Sequence, residues 1–171
     1  MNTKFDLFVK EHAGALAENS ADLEEEKKIW LSKLDELYAL VKASLSGHQE
    51  NGGGIKFDLS EVDIYEDQLG TYAVPFATIT IGRQVVKLIP KGTFLIGVAG
   101  RVDMTGPRGV VRFVIVPRDA VKPRFRALDN IASLELPRDW IWKISSPPPR
   151  ITYMDLTEDA FRDALMGVVN G

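Results

Sequence analysis

Few side chains in this 171-residue chain are equipped for chemistry. It has no cysteine, which removes thiolate nucleophiles, disulfides and every cysteine-ligated zinc or iron–sulfur site at once. The two histidines are His12 and His48. His12 shares a helical face with Phe5, Phe8, Val9 and Leu16, which suits packing better than proton transfer. His48 lies in the stretch 46–54, Ser-Gly-His-Gln-Glu-Asn-Gly-Gly-Gly, which has no apolar side chain. Asp58, Glu61, Asp63, Glu66 and Asp67 fall within ten positions, a density that can hold magnesium for metal-dependent hydrolysis. Only Asp58 is placed by clear strand alternation, and no lysine or histidine stands at a useful spacing, so a solvated surface is the plainer expectation. Glu26-Lys27-Lys28 has the E-x-K spacing of many nucleases, but on a charged helix with no strand before it. No serine has the strand-to-helix context of a nucleophile elbow. Gly97-x-x-Gly100 lies inside a strand pattern rather than ahead of a helix, so it is no dinucleotide fingerprint. Glycines there let an aromatic lie over the backbone, with Phe113 the candidate. No catalytic residue, metal ligand or cofactor is expected.

Charge is more informative. The net charge of −3 hides a split along the chain. Residues 1–82 hold 7 Lys/Arg against 15 Asp/Glu, residues 83–150 hold 13 against 5, and all ten arginines follow position 82. Arg101, Arg108, Arg118, Lys122, Arg124 and Arg126 are the candidate surface for a partner or an anion, since arginine grips carboxylate and phosphate bidentately. Acidic helices covering a basic body would explain the same split without a partner, as would a contact between two copies. Strand pairing adds a specific expectation. If Phe94, Ile96, Val98 and Val102 share a face with Val111, Phe113 and Ile115, one hairpin register sets Met104 opposite Val111 and Asp103 opposite Arg112. That would be a cross-strand ion pair of about 0.2–1 kcal/mol. Trp140 and Trp142 alternate on one face with Ile144. Such rings can stack single-stranded bases, but in this pattern they more simply face a core.

The elements that must position these residues read as α+β. A first helix is expected over residues 3–18, with Thr3 and Asp6 as a capping-box-like start. Asn19 and Ser20 break and recap, and a long amphipathic helix follows over 21–45, giving a helical hairpin. Its stripe is Leu23, Trp30, Leu34, Leu37 and Val41, widened by Leu31, Tyr38 and Leu45. After the glycine-rich linker 47–54 the apolar period becomes two, through Ile55, Phe57 and Leu59, then Val62 and Ile64. Tyr72, Val74 and Phe76 alternate before the phase shifts to Ala77, Ile79 and Ile81, which predicts a bulge near Pro75. Turns at Gly82-Arg83, at 90–92 and at 105–109 separate β-branched runs 85–89, 93–104 and 110–118, the pattern of an antiparallel β-meander sheet. A short helix is expected at 128–134, strands at 140–144 and 151–154, and a C-terminal helix capped by Thr157. Leu156 and Phe161 would form its hydrophobic staple.

The chain thus divides into a helical region 1–46, the linker 47–54 and a β-rich domain 55–171, with the helices packed on the sheet as one unit. No apolar run approaches a membrane span and no signal peptide is evident, so a soluble, cytoplasmic protein is expected. The functional expectation is a non-catalytic, self-associating protein-binding or adaptor protein. RNA or single-stranded DNA binding through the arginine-rich body is the alternative, and metal-dependent hydrolysis the remote one.

Overall fold

The computed structural model describes residues 3–49, 53–66, 69–92, 100–122 and 140–171, and within 11–23 the backbone alone. Helix α1 (Thr3–Ser44) is followed by seven strands and helix α2 (Glu158–Asn170). The strands are β1 (Ile55–Glu66), β2 (Gly70–Ile81), β3 (Gln84–Gly92), β4 (Gly100–Gly106), β5 (Gly109–Val116), β6 (Ile141–Ser145) and β7 (Tyr153–Asp155). They lie in one antiparallel sheet in chain order, so every strand pairs with its sequence neighbour. The fold class is α+β with an antiparallel meander, as expected.

The amino-terminal hairpin does not form. Thr3–Ser44 is a single helix of 42 residues, about 63 Å long at 1.5 Å per residue. Asn19 and Ser20 are weak helix formers, yet each costs only ~0.5 kcal/mol against alanine, and neither is a proline. Good formers on both sides (Ala15, Leu16, Ala17, Ala21) carry the helix through.

Alternation along the strands gives the sheet an inner face under the helices. Val74, Ala77, Ile79, Val86, Leu88, Val102, Met104, Phe113, Ile115, Trp142 and Ile144 point into it. They share one core with Trp30, Leu34, Leu37, Tyr38 and Val41 of α1, Leu45 just after it, and Phe161, Leu165 and Val168 of α2. The β4–β5 register is the expected one, Asp103↔Arg112 and Met104↔Val111.

The phase shift near Pro75 is real, but it is not a one-strand bulge. Burial in β2 changes from Tyr72 and Val74 to Ala77 and Ile79, while the β1–β2 register runs unbroken from Ile55↔Ile81 to Glu66↔Gly70. Both strands therefore change face together at Ser60-Glu61 and Pro75-Phe76. The Pro75 carbonyl there accepts a hydrogen bond from the Tyr38 hydroxyl of α1 at 2.7 Å. The turn expected at 90–92 is also corrected. Pro90 and Gly92 both pair with β4, and the register slips between them. Lys91 is the extra residue of a bulge, a setting that tolerates proline, and Gly92 has φ +126°, open to glycine. The last strand falls at Tyr153–Asp155 rather than 151–154. The helix expected at 128–134 lies outside the described residues.

Thr157 caps α2 as expected, its hydroxyl accepting the Ala160 N–H at 3.1 Å. Leu156 and Phe161 both join the core. Arg162 ties the helices together, its Nε donating to the Ser44 carbonyl at 2.9 Å, one of the carbonyls a helix end leaves without an internal partner.

Candidate interaction interface

Helix α1 has two halves with opposite surroundings. From Trp30 onward it is seated. The Trp142 indole N–H donates to the Lys33 carbonyl at 2.7 Å, and the Lys33 ammonium donates to the Trp140 carbonyl at 2.7 Å. One residue of the helix is thus bracketed by strand β6. Trp30 meets Trp142 with ring centroids 6.1 Å apart. Trp30 also covers Gly100, where an added Cβ would come within 2.4 Å of its ring. The aromatic over that glycine is therefore Trp30, not Phe113, whose ring instead meets Phe161 of α2.

A small polar group closes this end of the core. The Tyr72 hydroxyl donates to the Glu66 carboxylate, and the Lys27 ammonium lies 5.5 Å from the Tyr72 ring centroid. Burial pushes the Tyr72 phenol well above its usual pKa, and the Glu66 hydrogen bond and charge add to the shift. The nearby Trp30 indole N–H, buried without a hydrogen-bond partner, opposes the shift. Burial alone raises Tyr38. Both phenols stay protonated, as hydrogen-bond donors must. This group binds the helix to the hairpin β1–β2 and contains no nucleophile.

Toward its start α1 is bare. Every residue from Thr3 to Lys10 is exposed. Phe5, Leu7, Phe8 and Val9 are 59%, 66%, 54% and 46% exposed, and the Phe5 and Phe8 rings stack at 6.3 Å. Helical spacing puts Phe5, Phe8 and Val9 on one side of the helix and Leu7 on another, and large apolar side chains exposed in this number mark contact sites.

The basic body lies largely away from α1. Register places Arg101 and Arg112 on the outer face, opposite the helices, because Val102 and Phe113 point inward. Asp103 is bound by Arg101, with Nε 2.8 Å from Oδ1 and Nη2 3.1 Å from Oδ2. This same-strand pair stands where a cross-strand pair with Arg112 was expected. Lys143 is buried on the same face, 2.8 Å from the Ala120 carbonyl and 3.2 Å from Asp155. Arg108 is exposed in the β4–β5 turn, while Arg118 and Lys122 are exposed beyond the other end of β5. Eight residues of strand, about 27 Å, separate them. The candidate cations therefore do not form one patch, and Arg124 and Arg126 lie outside the described residues.

Trp142 is only 8% exposed and faces the core, the simpler of the two readings of that strand. Asp58, Glu61 and Asp63 are exposed along β1, and Asp67 lies outside the described residues. Among the described residues no three acidic or histidine side chains cluster to hold a metal ion. His48 is exposed in the turn after α1, and the His12 side chain lies outside the described residues. No described helix is long and apolar enough to cross a membrane. The arm of α1 was half legible in the sequence. Its apolar face was recognised, but a hairpin would have hidden it. No family model, curated protein or solved structure matches this chain.

Proposed function

We propose that this chain is a non-catalytic protein-binding protein that self-associates through the first half of α1. One observation carries the reading: the helix that is seated on the sheet from Trp30 onward continues past it with Phe5, Leu7, Phe8 and Val9 in solvent. An isolated helix of this kind gains little from propensity alone, and its apolar side chains gain by being covered. The seated half needs no such cover, since its stripe already lies in the core. The split between acidic helix and basic body supports a contact made by charge as well as by apolar surface.

Sedimentation equilibrium across a wide concentration range tests this. The full chain is expected to form a reversible oligomer, and the double variant Phe5→Ser/Phe8→Ser to sediment as a monomer with an unchanged near-UV spectrum. A full chain that stays monomeric throughout would sink the proposal.

A further inference from the structure

We propose that the outer edge of β1 takes an extended segment of a partner protein as a further strand, one whose side chains alternate between basic and apolar. This surface is separate from the arm of α1 and does not rest on self-association.

The two edges of the sheet are built differently. β7 is three residues long, and its Tyr153 N–H is already given to the Val121 carbonyl at 3.0 Å. Shortness of that kind keeps an edge from pairing. β1 is 12 residues long, contains no proline, and pairs with β2 in unbroken register. Only its beginning is occupied on the outer side. The Gly54 carbonyl faces β2, where it accepts from the Gly82 N–H, so by alternation the Ile55 N–H points away, to the His48 carbonyl at 3.0 Å. From Lys56 to Tyr65 alternate residues then turn an N–H and a carbonyl outward. Every position from 58 to 63 is exposed.

The side chains along this edge select the occupant. Register sets Leu59 opposite Ala77 and Val62 opposite Val74, so both lie on the inner face of the sheet. Ile55, Phe57 and Ile64 on that face pack against the core, but Leu59 and Val62 are 53% and 36% exposed. They form an apolar ledge continuous with the core, which the apolar side chains of an added strand would cover. Charge that only protects an edge needs no such ledge. The opposite face of β1 carries Asp58, Glu61 and Asp63, and Lys56 is the one basic residue of the strand. Two β1 edges would therefore repel, which makes a second copy of this strand a poor occupant. Lysine or arginine across from these carboxylates is favoured by the same cross-strand rule, and main-chain hydrogen bonds would supply the rest of the contact.

Fluorescence anisotropy with labelled peptides of about ten residues tests this. A peptide alternating lysine and valine is expected to bind at least about tenfold more tightly than one with the same residues in two blocks. The two have equal charge, but only the first matches both faces of β1. Asp58→Lys/Asp63→Lys, at two exposed positions, should weaken binding by about tenfold or more with an unchanged far-UV spectrum. Methylating the amide nitrogens of every second residue blocks one edge of the peptide; one set should abolish binding and the other should not. Phe5→Ser/Phe8→Ser should bind as the unaltered chain does. No binding, equal binding of the block peptide, or binding that survives Asp58→Lys/Asp63→Lys overturns the proposal, as does binding lost in Phe5→Ser/Phe8→Ser. A chain that stays monomeric yet binds the alternating peptide removes self-association and leaves this edge standing.

Discussion

The two halves of α1 share one continuous helical backbone, yet they meet different surroundings. Trp30, Leu34, Leu37 and Val41 are at most 2% exposed, while Phe5 and Leu7 are more than half exposed. In the seated half the wide stripe matches a sheet face, and Tyr38, Lys33 and Trp30 each hold a specific point of it. In the arm Phe5, Leu7, Phe8 and Val9 are each between 46% and 66% exposed. An apolar helical face therefore reports only that something must cover it; the rest of the fold decides whether that is the same chain. Substitutions that treat the halves alike should separate their roles.

The largest effect is expected in the seat. Leu34 is fully buried, and Leu34→Ala should cost about 2–5 kcal/mol, through lost burial and the cavity left behind. Urea unfolding at low protein concentration checks this, and a loss below about 1 kcal/mol would mean the helix is not seated as described. Gly100→Ala comes next, because its Cβ would meet the Trp30 ring at 2.4 Å. A destabilisation of about 1–3 kcal/mol is expected, against almost none for Gly109→Ala, where no atom lies within 4 Å of the new Cβ. If the two alanines behave alike, Trp30 does not lie over Gly100.

The polar latches should matter less, and pH separates them from packing. Tyr38→Phe leaves the Pro75 carbonyl without its donor and should cost ~1–2 kcal/mol. Both Tyr38 and Tyr72 titrate higher in the folded chain than the ordinary phenol at 10.0. Above that value the unfolded chain loses these protons first, so their contribution is complete below about pH 10 and is lost as pH rises further. The urea midpoint should therefore fall from pH 9 to pH 11, and fall less in Tyr72→Phe and Tyr38→Phe. Equal slopes in all three chains would remove the phenols from the explanation.

Local rules made most of the sheet legible in advance. The turns at Gly82-Arg83 and Pro107-Arg108, the β4–β5 strand register, and the Thr157 cap follow from turn chemistry, alternation and capping, which act over a few residues. What was not legible depends on contacts between distant segments. Phe113 and Trp30 were equally able to cover Gly100 as sequence, and only the seating of α1 decides for Trp30. Pro75 announced a change of face but not that β1 would turn with it, since that depends on an unbroken register. Asn19-Ser20 looked like a break because capping residues serve equally at a helix start and, at small cost, inside a helix. The basic residues looked like one surface because they are close in sequence, whereas β5 separates Arg108 from Arg118.

The smallest change in stability is expected in the arm, and its smallness is the point. Phe5→Ala and Phe8→Ala remove as much apolar area as many core truncations, but from side chains 59% and 54% exposed. At protein concentrations low enough for monomers, each should shift the unfolding free energy by less than about 0.5 kcal/mol. At high concentration, association adds stability to the folded chain by mass action, and the same variants should lose that increment. The melting temperature of the unaltered chain should therefore rise with concentration while that of Phe5→Ala/Phe8→Ala stays flat. If both stay flat, the arm is not held by a second copy. If the variants are destabilised at every concentration, Phe5 and Phe8 are packed within their own chain, and the contrast between the halves of α1 disappears.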